Sequence, residues 1–80
     1  MKTVRVQYFA LLREQRGRPD EECRTSAASP RELYEELRRR HGFSLPPERV
    51  RSAINDEFAD AATALRDGDR IAFLPPVAGG

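Results

Sequence analysis

The sequence predicts an α+β fold in which one helix lies across one face of a small mixed β-sheet. Alternating apolar residues near the N-terminus indicate a strand, the middle of the chain has the pattern of an amphipathic helix, and an apolar strand precedes the C-terminus. The order strand, strand, helix, strands is typical of this class. A chain of 80 residues forms one domain, here residues 1–80, around one small core.

The first two strands are predicted from local pattern. Apolar residues alternate with polar ones from residue 4 onward, which indicates a strand to about Ala10, and a short helical turn closed by Gly17 follows. Pro19 and Asp20 then begin a second, weaker strand near Glu22 to Thr25. The alternating apolar residues are Val4, Val6 and Tyr8.

The central helix has recognisable start and stop signals. Ser29 is a favourable N-cap, Pro30 suits the first helical position, and Glu32 completes a capping box. Gly42 is placed to end the helix. One apolar stripe results from the spacing of Leu33, Tyr34 and Leu37. After the helix, we expect Phe43 and Leu45 to pack back onto the core.

The second half of the chain contains short strands and tight turns. Ala53 and Ile54 indicate a short strand, and residues 55–57 indicate a turn that leads to Phe58. Residues 67–69, Asp-Gly-Asp, indicate another turn before the last strand, residues 70–74. That strand is apolar on both faces, as expected for an inner strand. A parallel pairing of the first and last strands is compatible with this pattern.

Composition narrows the functional classes. The net charge of +1 gives no strong attraction to nucleic acid or to an anionic membrane, and no apolar run is long enough to span a bilayer. A single cysteine, Cys23, cannot form an internal disulfide, and no export signal is recognisable. We therefore expect a cytoplasmic protein. A domain of this size favours a binder, carrier or subunit over a self-contained enzyme.

The C-terminal segment, "FLPPVAGG", has an unusual design. Pro75 and Pro76 have no N–H to donate to a sheet, and each fixes φ near the polyproline value, so the chain should leave the sheet as a stiff arm. Small residues and then two glycines follow. Such a tail could thread a narrow channel and bring its terminal carboxylate to chemistry on another protein. A frayed terminus without a role is the simpler alternative.

The tail and three internal motifs resemble the MoaD family, the small subunit of molybdopterin synthase and a group of ubiquitin-like sulfur carriers. The resemblance covers the whole chain and rests on "YFALLREQRG" at residues 8–17, "AIN" at residues 53–55 and "LRDGDRIAFLPPVAGG" at residues 65–80. It implies the ubiquitin-like β-grasp fold. The Asp-Gly-Asp turn together with the Pro-Pro-Val-x-Gly-Gly end is more specific than the Gly-Gly pair alone.

The resemblance also implies a chemistry for the tail. A partner similar to ubiquitin-activating enzymes uses ATP and magnesium to adenylate the C-terminal glycine, and sulfur converts the acyl-adenylate to a thiocarboxylate. The tail then enters the large synthase subunit and gives its sulfur to cyclic pyranopterin monophosphate, which forms molybdopterin. The family's synthase is a heterotetramer, and we expect catalysis in the large subunit. No bound cofactor and no metal site are expected in this chain.

The residues that the resemblance assigns are concentrated at the terminus. Gly80 is the expected site of the glycyl adenylate and the thiocarboxylate, and Gly79 is the small neighbour that lets it pass. Partner contacts are expected from Phe9, Leu74, Pro75, Pro76, Val77 and Ala78. Cys23 and His41 are far apart in sequence and form no metal signature.

Two alternatives remain open at this stage. The same thiocarboxylate chemistry could serve another acceptor, in tRNA thiolation or in thiamine or cysteine synthesis. A different class of protein, a β-grasp interaction module that is never activated, would not need its last two residues. The Pro-Pro-Val-x-Gly-Gly end favours the molybdopterin pathway over the other acceptors, and removal of the last two residues would separate a carrier from an interaction module.

Overall fold

The first and last strands lie side by side at the centre of the sheet, in a computed structural model that describes residues 1–76. These residues form a five-stranded sheet in the order β2-β1-β5-β3-β4. The strands are β1 (Lys2–Tyr8), β2 (Asp20–Thr25), β3 (Arg51–Ile54), β4 (Glu57–Ala59) and β5 (Arg70–Leu74), the helices are α1 (Ala10–Arg16) and α2 (Pro30–His41), and a 3-10 turn spans Pro47–Arg49.

The strand pairing explains the composition of β5. This strand is parallel to β1, with Val6 opposite Ile71, and antiparallel to β3, with Ile54 opposite Ile71 on the other side. Because β5 has a neighbour on each side, it is an inner strand, as its apolar sequence predicted. The parallel pairing of the first and last strands and the α+β class are both confirmed.

Helix α2 forms the second layer of the fold. The Ser29 hydroxyl accepts a hydrogen bond from the Glu32 backbone N–H at 3.3 Å, and Gly42 ends the helix with a φ of 74°. The helix packs its apolar stripe, which is fully buried, against the sheet. The predicted caps and core stripe are thus confirmed. Burial of Phe43 and partial burial of Leu45 are also confirmed.

An aromatic cluster fills the space between helix and sheet. The Tyr34 ring lies 5.3 Å from the Phe73 ring and 5.9 Å from the Phe43 ring, measured between centroids, and Tyr8 lies 5.6 Å from Phe43. These separations are in the favourable range for aromatic pairs. The cluster therefore joins β1, β5, α2 and the loop after α2 in one core.

Two predicted turns are present. Asn55 and Asp56 have φ values of 51° and 73° and form a two-residue hairpin between β3 and β4. Asp69 accepts hydrogen bonds from the Asn55 side-chain amide and the Arg66 backbone N–H, at 3.0 and 2.9 Å. The conspicuous Asp-Gly-Asp motif therefore joins the start of β5 to the β3–β4 hairpin.

The prediction was wrong at one strand boundary. β1 ends at Tyr8 and not near Ala10, because Ala10 has a left-handed φ of 50° and begins α1. The predicted start of β2 at Pro19 and Asp20 is confirmed, since the strand begins at Asp20 and its pairing with β1 continues to Gln7. Gly17 ends α1 as expected, with a φ of 84°.

Candidate functional site

The candidate site lies where the chain leaves the sheet. β5 ends at Leu74, and Pro75 and Pro76 follow outside the strand, as their missing N–H groups require. The expected contacts at Val77 and Ala78, and the expected reactive residues Gly79 and Gly80, lie outside the described residues.

An open apolar groove of about 600 Å³ lies beside this exit point. We call it the tail-side surface. Phe9 and Leu11 are 42% and 37% exposed there, an unusual position for large apolar side chains in a small domain. Its lining consists of Phe9, Ala10, Leu11, Leu45, Leu74, Pro75 and Pro76. The structure therefore brings together the four described residues that the sequence analysis assigned to partner binding.

The tail-side surface depends on a sharp turn between β1 and α1. Phe9 is extended, with φ −130° and ψ 150°, and Ala10 then adopts the left-handed region that residues with a Cβ rarely occupy. Phe9 before this turn and Leu11 after it are at the surface, whereas Leu12 is fully buried. The strained backbone at Ala10 thus separates core residues from surface residues over a very short segment.

Hydrogen bonds also hold the other wall of the groove. The Gln15 side-chain amide donates to the Ser44 hydroxyl at 2.8 Å, and its carbonyl accepts from the Ser44 backbone N–H at 3.1 Å. This two-way contact fixes the loop after α2 against α1. Leu45, the next residue, therefore lies beside Phe9 in the groove.

A Glu21-centred cluster anchors the C-terminal end of α1. The Glu21 carboxylate accepts hydrogen bonds from Arg16 Nε and Nη2, at 2.9 and 2.8 Å, and from the Tyr8 hydroxyl at 2.6 Å. The bonds from Arg16, followed by the bond from Tyr8, lower the pKa of Glu21 to about 2 although burial opposes the shift. Burial and the Glu21 contact raise the pKa of Tyr8.

His41 borders the same cluster but is not integrated into its hydrogen bonds. Its Nε2 is 3.6 Å from Glu21 Oε2 and is buried without a hydrogen-bond partner among the described residues. Burial, and then the nearby Arg16 charge, lower the pKa of His41. The neutral imidazole is therefore favoured, and it packs 5.7 Å from the Phe43 ring.

The sequence analysis missed a second exposed aromatic side chain. Phe58 on β4 is 69% exposed, and the Arg51 guanidinium stacks 4.6 Å from its ring centroid. Phe58 pairs with Ala53, which pairs with Ala72, so all three share the sheet face opposite α2. The alternation of small or apolar residues along neighbouring strands was the sequence signal that could have indicated an exposed apolar patch around Phe58.

The other reactive side chains have structural positions. Cys23 is buried in the middle of β2, and burial raises the pKa of its thiol, which makes it a poor nucleophile. Within residues 1–76, no cluster of three or more His, Cys, Asp or Glu side chains could hold a metal ion.

A comparison with models of protein families identifies a matching family. The model of the ThiS family matches residues 6–80, which is nearly the whole chain.

The chain belongs to the ThiS family.

A curated relative supports the more specific resemblance. The chain is 52% identical over 33 residues to a protein described as "Molybdopterin synthase sulfur carrier subunit" from Mycobacterium tuberculosis. The matched stretch covers 41% of this chain and 40% of that protein, less than half the length of each. The resemblance to the MoaD family is confirmed by these comparisons taken together.

Solved structures share the β-grasp fold over nearly the full chain. A putative molybdopterin converting factor subunit 1 from Pyrococcus furiosus is 31% identical, with a TM-score of 0.79, and the match covers 96% of this chain and 100% of that one. In a complex of subunits 1 and 2 of the molybdopterin-converting factor from Helicobacter pylori, the matched chain is 30% identical. Its TM-score is 0.66, with coverage of 98% and 99%.

A protein with a different description has the same fold. Small archaeal modifier protein 1 from Methanosarcina acetivorans is 27% identical to this chain, with a TM-score of 0.78 and coverage of 100% and 98%. The ubiquitin-like β-grasp class is thus confirmed, whereas the fold by itself does not select one pathway.

Proposed function

We propose that this chain is a sulfur carrier in molybdenum cofactor biosynthesis, the small subunit of a molybdopterin synthase. The observation that carries the proposal is the ThiS family match, which extends to Gly80 and so includes the terminal Gly-Gly pair. The relative described as a sulfur carrier subunit supports the choice of pathway.

The proposed chemistry takes place on the terminal carboxylate. An oxygen of the Gly80 carboxylate attacks the α-phosphorus of ATP, held with magnesium by an activating enzyme, and pyrophosphate leaves. The outer sulfur of a persulfide on the partner then attacks the acyl carbon, and AMP leaves. A thiol cleaves the S–S bond of the resulting acyl disulfide, which releases the thiocarboxylate and leaves a disulfide between the thiol and the partner. In this proposal the carrier supplies the carboxylate and the folded domain that its partners recognise, and it contributes no general acid, base or metal of its own.

The tail-side surface is the proposed docking site for the large synthase subunit. Its exposed Phe9 and Leu11 stand beside the departing tail, so burial of this groove would also direct the tail toward the partner. Binding energy from the folded domain then positions the sulfur at the partner's active site. The Helicobacter pylori complex of subunits 1 and 2 supports a partner of this kind, and a heterotetramer is the expected assembly.

A carrier or modifier for a different acceptor is the second candidate. The likeness to small archaeal modifier protein 1 favours it, because that protein matches this fold as well as the molybdopterin converting factor does. Both candidates require activation of Gly80. They differ in the molecule that receives the activated tail.

Intact mass tests the carrier chemistry. The chain is co-expressed with its activating enzyme and a sulfur source, and we expect a mass increase equal to the replacement of one oxygen by sulfur. Deletion of Gly80 should abolish this increase. Arg66→Ala, a change at an exposed site away from the tail-side surface, is the matched control and should keep it.

An unchanged mass with an enzyme active on another carrier would contradict activation by that enzyme. An unchanged mass with every activating enzyme of the source genome would overturn the carrier proposal and favour a binding module. In the described part of the chain, no helix is long and apolar enough to cross a membrane.

A further inference from the structure

The edge strand β2 is open and unusually regular. It pairs only with β1 within the described residues, and six consecutive residue pairs run from Lys2–Thr25 to Gln7–Asp20 without a bulge. The opposite edge strand, β4, has only three residues. Natural edge strands are usually protected by proline, charged side chains, bulges or short length. β2 has no proline and no bulge, so its protection rests on charges of both signs, among them Glu22 and Arg24.

The pairing register defines which backbone groups of β2 face outward. Tyr8 N–H donates to Pro19 C=O at 2.8 Å, which makes this a hydrogen-bonded pair of the antiparallel ladder. Because hydrogen-bonded pairs alternate along the ladder, Glu21 and Cys23 direct their peptide groups toward β1. The peptide groups of Glu22 and Arg24 therefore point to the open edge.

The charges on this edge are self-complementary. Glu22 and Arg24 are exposed, lie on the same sheet face, and form no ion pair with a described residue. Antiparallel pairing of two β2 strands about a two-fold axis at Cys23 places Glu22 of each copy opposite Arg24 of the other. Opposite charges directly across a strand pair stabilise it.

The neighbouring registers are less favourable. Outward peptide groups must face each other, so the pairing can slip only in steps that keep Glu22 and Arg24 on hydrogen-bonding positions. A shift in one direction places Glu22 opposite its own copy; it also brings Asp20 opposite Arg24, but Asp20 is already paired with Arg5 at 2.6 Å. A shift in the other direction places Arg24 opposite its own copy. Like charges directly opposite destabilise a strand pair, so the charge pattern favours the Cys23-centred register, which has no such like-charge pair.

Helix α2 carries a matching pair of charges above this edge. Glu36 accepts a hydrogen bond from the Thr25 hydroxyl at 2.8 Å and forms an ion pair with Arg40 at 2.9 Å. The same two-fold axis sets the two α2 helices antiparallel on the same side of the joined sheet, and each helix keeps its own Glu36–Arg40 pair.

We propose that the chain forms a two-fold symmetric homodimer through β2, with Glu22 of each copy opposite Arg24 of the other. The two sheets then form one continuous sheet through an antiparallel pair of β2 strands centred on Cys23. No residue of the tail-side surface lies on β2, so the dimer leaves both carrier tails free. This inference does not depend on the proposed sulfur chemistry.

Charge reversal and sedimentation velocity test the dimer. The wild-type chain is measured over a range of concentrations up to about 1 mM, which would detect a dimer with a dissociation constant in the millimolar range or below. We expect concentration-dependent dimers that weaken as salt increases. Glu22→Arg or Arg24→Glu should each weaken dimerisation by about tenfold or more, since two pairs per dimer become repulsive.

The double variant Glu22→Arg/Arg24→Glu restores the complementary pairs and should regain the wild-type dimer. Arg66→Glu, an exposed reversal far from β2, should have no effect, and circular dichroism should show that every variant is folded. A wild-type chain that stays monomeric at the highest concentration would overturn the proposal. A dimer that both single reversals leave intact, or that the double variant fails to restore, would also overturn it.

Discussion

The two faces of β5 illustrate how one strand serves two regions of the molecule. Phe73 is fully buried under α2 in the aromatic core, whereas Leu74, the next residue, is half-buried and lines the tail-side surface. Side chains alternate across a strand, so a shift of one position changes the role from packing to recognition. Phe73 and Leu74 are both large apolar residues, so only their positions in the fold separate the two roles.

The largest expected effect comes from the core side of this comparison. Phe73→Ala removes a ring that packs against Tyr34 and leaves a cavity, so the free energy of unfolding should fall by about 3–5 kcal/mol. Urea denaturation measures this change. A loss below about 1 kcal/mol would mean that the core and the tail-side surface are not as distinct as the structure indicates.

The tail-side surface should show the opposite pattern. Leu74→Asp places a charge in the apolar groove, and affinity for the large synthase subunit should fall by about thirtyfold or more, the effect of losing a hot-spot residue. Because Leu74 is not part of the buried core, stability should change much less than in Phe73→Ala. Titration calorimetry measures the affinity, and Arg66→Ala is the control. Unchanged affinity would remove this groove from the docking site.

The Glu21 cluster connects the two regions, because it holds α1 to the sheet. Glu21→Gln should lower the free energy of unfolding by about 2 kcal/mol, since Arg16 loses its charged partner while still largely covered. Acid unfolding adds a sharper test. The depressed pKa of Glu21 contributes stability above pH 4.5, which is lost as the pH falls toward about 2. In Glu21→Gln, the loss of stability between about pH 4.5 and 2 should be smaller than in the wild-type chain. If the two chains lose stability equally over this range, the contribution assigned to Glu21 is contradicted.

The smallest expected effect concerns His41. Its pKa is lowered in the folded state, so the unfolded chain binds the proton first as the pH falls below about 6.5. Stability should therefore decline slightly from neutral pH toward the folded-state pKa. His41→Gln should flatten this slope in denaturation measured at several pH values. A wild-type chain whose stability rises on mild acidification would show that the protonated imidazole pairs with Glu21.

Local sequence signals predicted most of the fold. The Ser29 cap, the Gly42 terminus, the Asn55-Asp56 hairpin and the apolar last strand were all readable, because each depends on neighbouring residues. The end of β1 was misplaced because the left-handed turn at Ala10 occurs at a residue type that seldom adopts it.

The site was only partly predictable, for a related reason. Phe9, Leu74 and the two prolines came from the motif that surrounds the tail. Leu11 and Leu45 were not identified, since Leu11 lies in the groove because of the left-handed turn at Ala10, and Leu45 because of the Gln15–Ser44 contact between distant segments. The Glu21 cluster likewise joins residues that share no sequence pattern.

The most direct test of the central claim follows the sulfur to its acceptor. Thiocarboxylated chain is mixed with the large synthase subunit and cyclic pyranopterin monophosphate, and intact mass is measured over a single turnover. The account predicts that the carrier returns to the carboxylate form only when both are present, with molybdopterin formed in proportion to the sulfur lost. A thiocarboxylate that persists in the complete mixture, yet is consumed by a different acceptor, would contradict it.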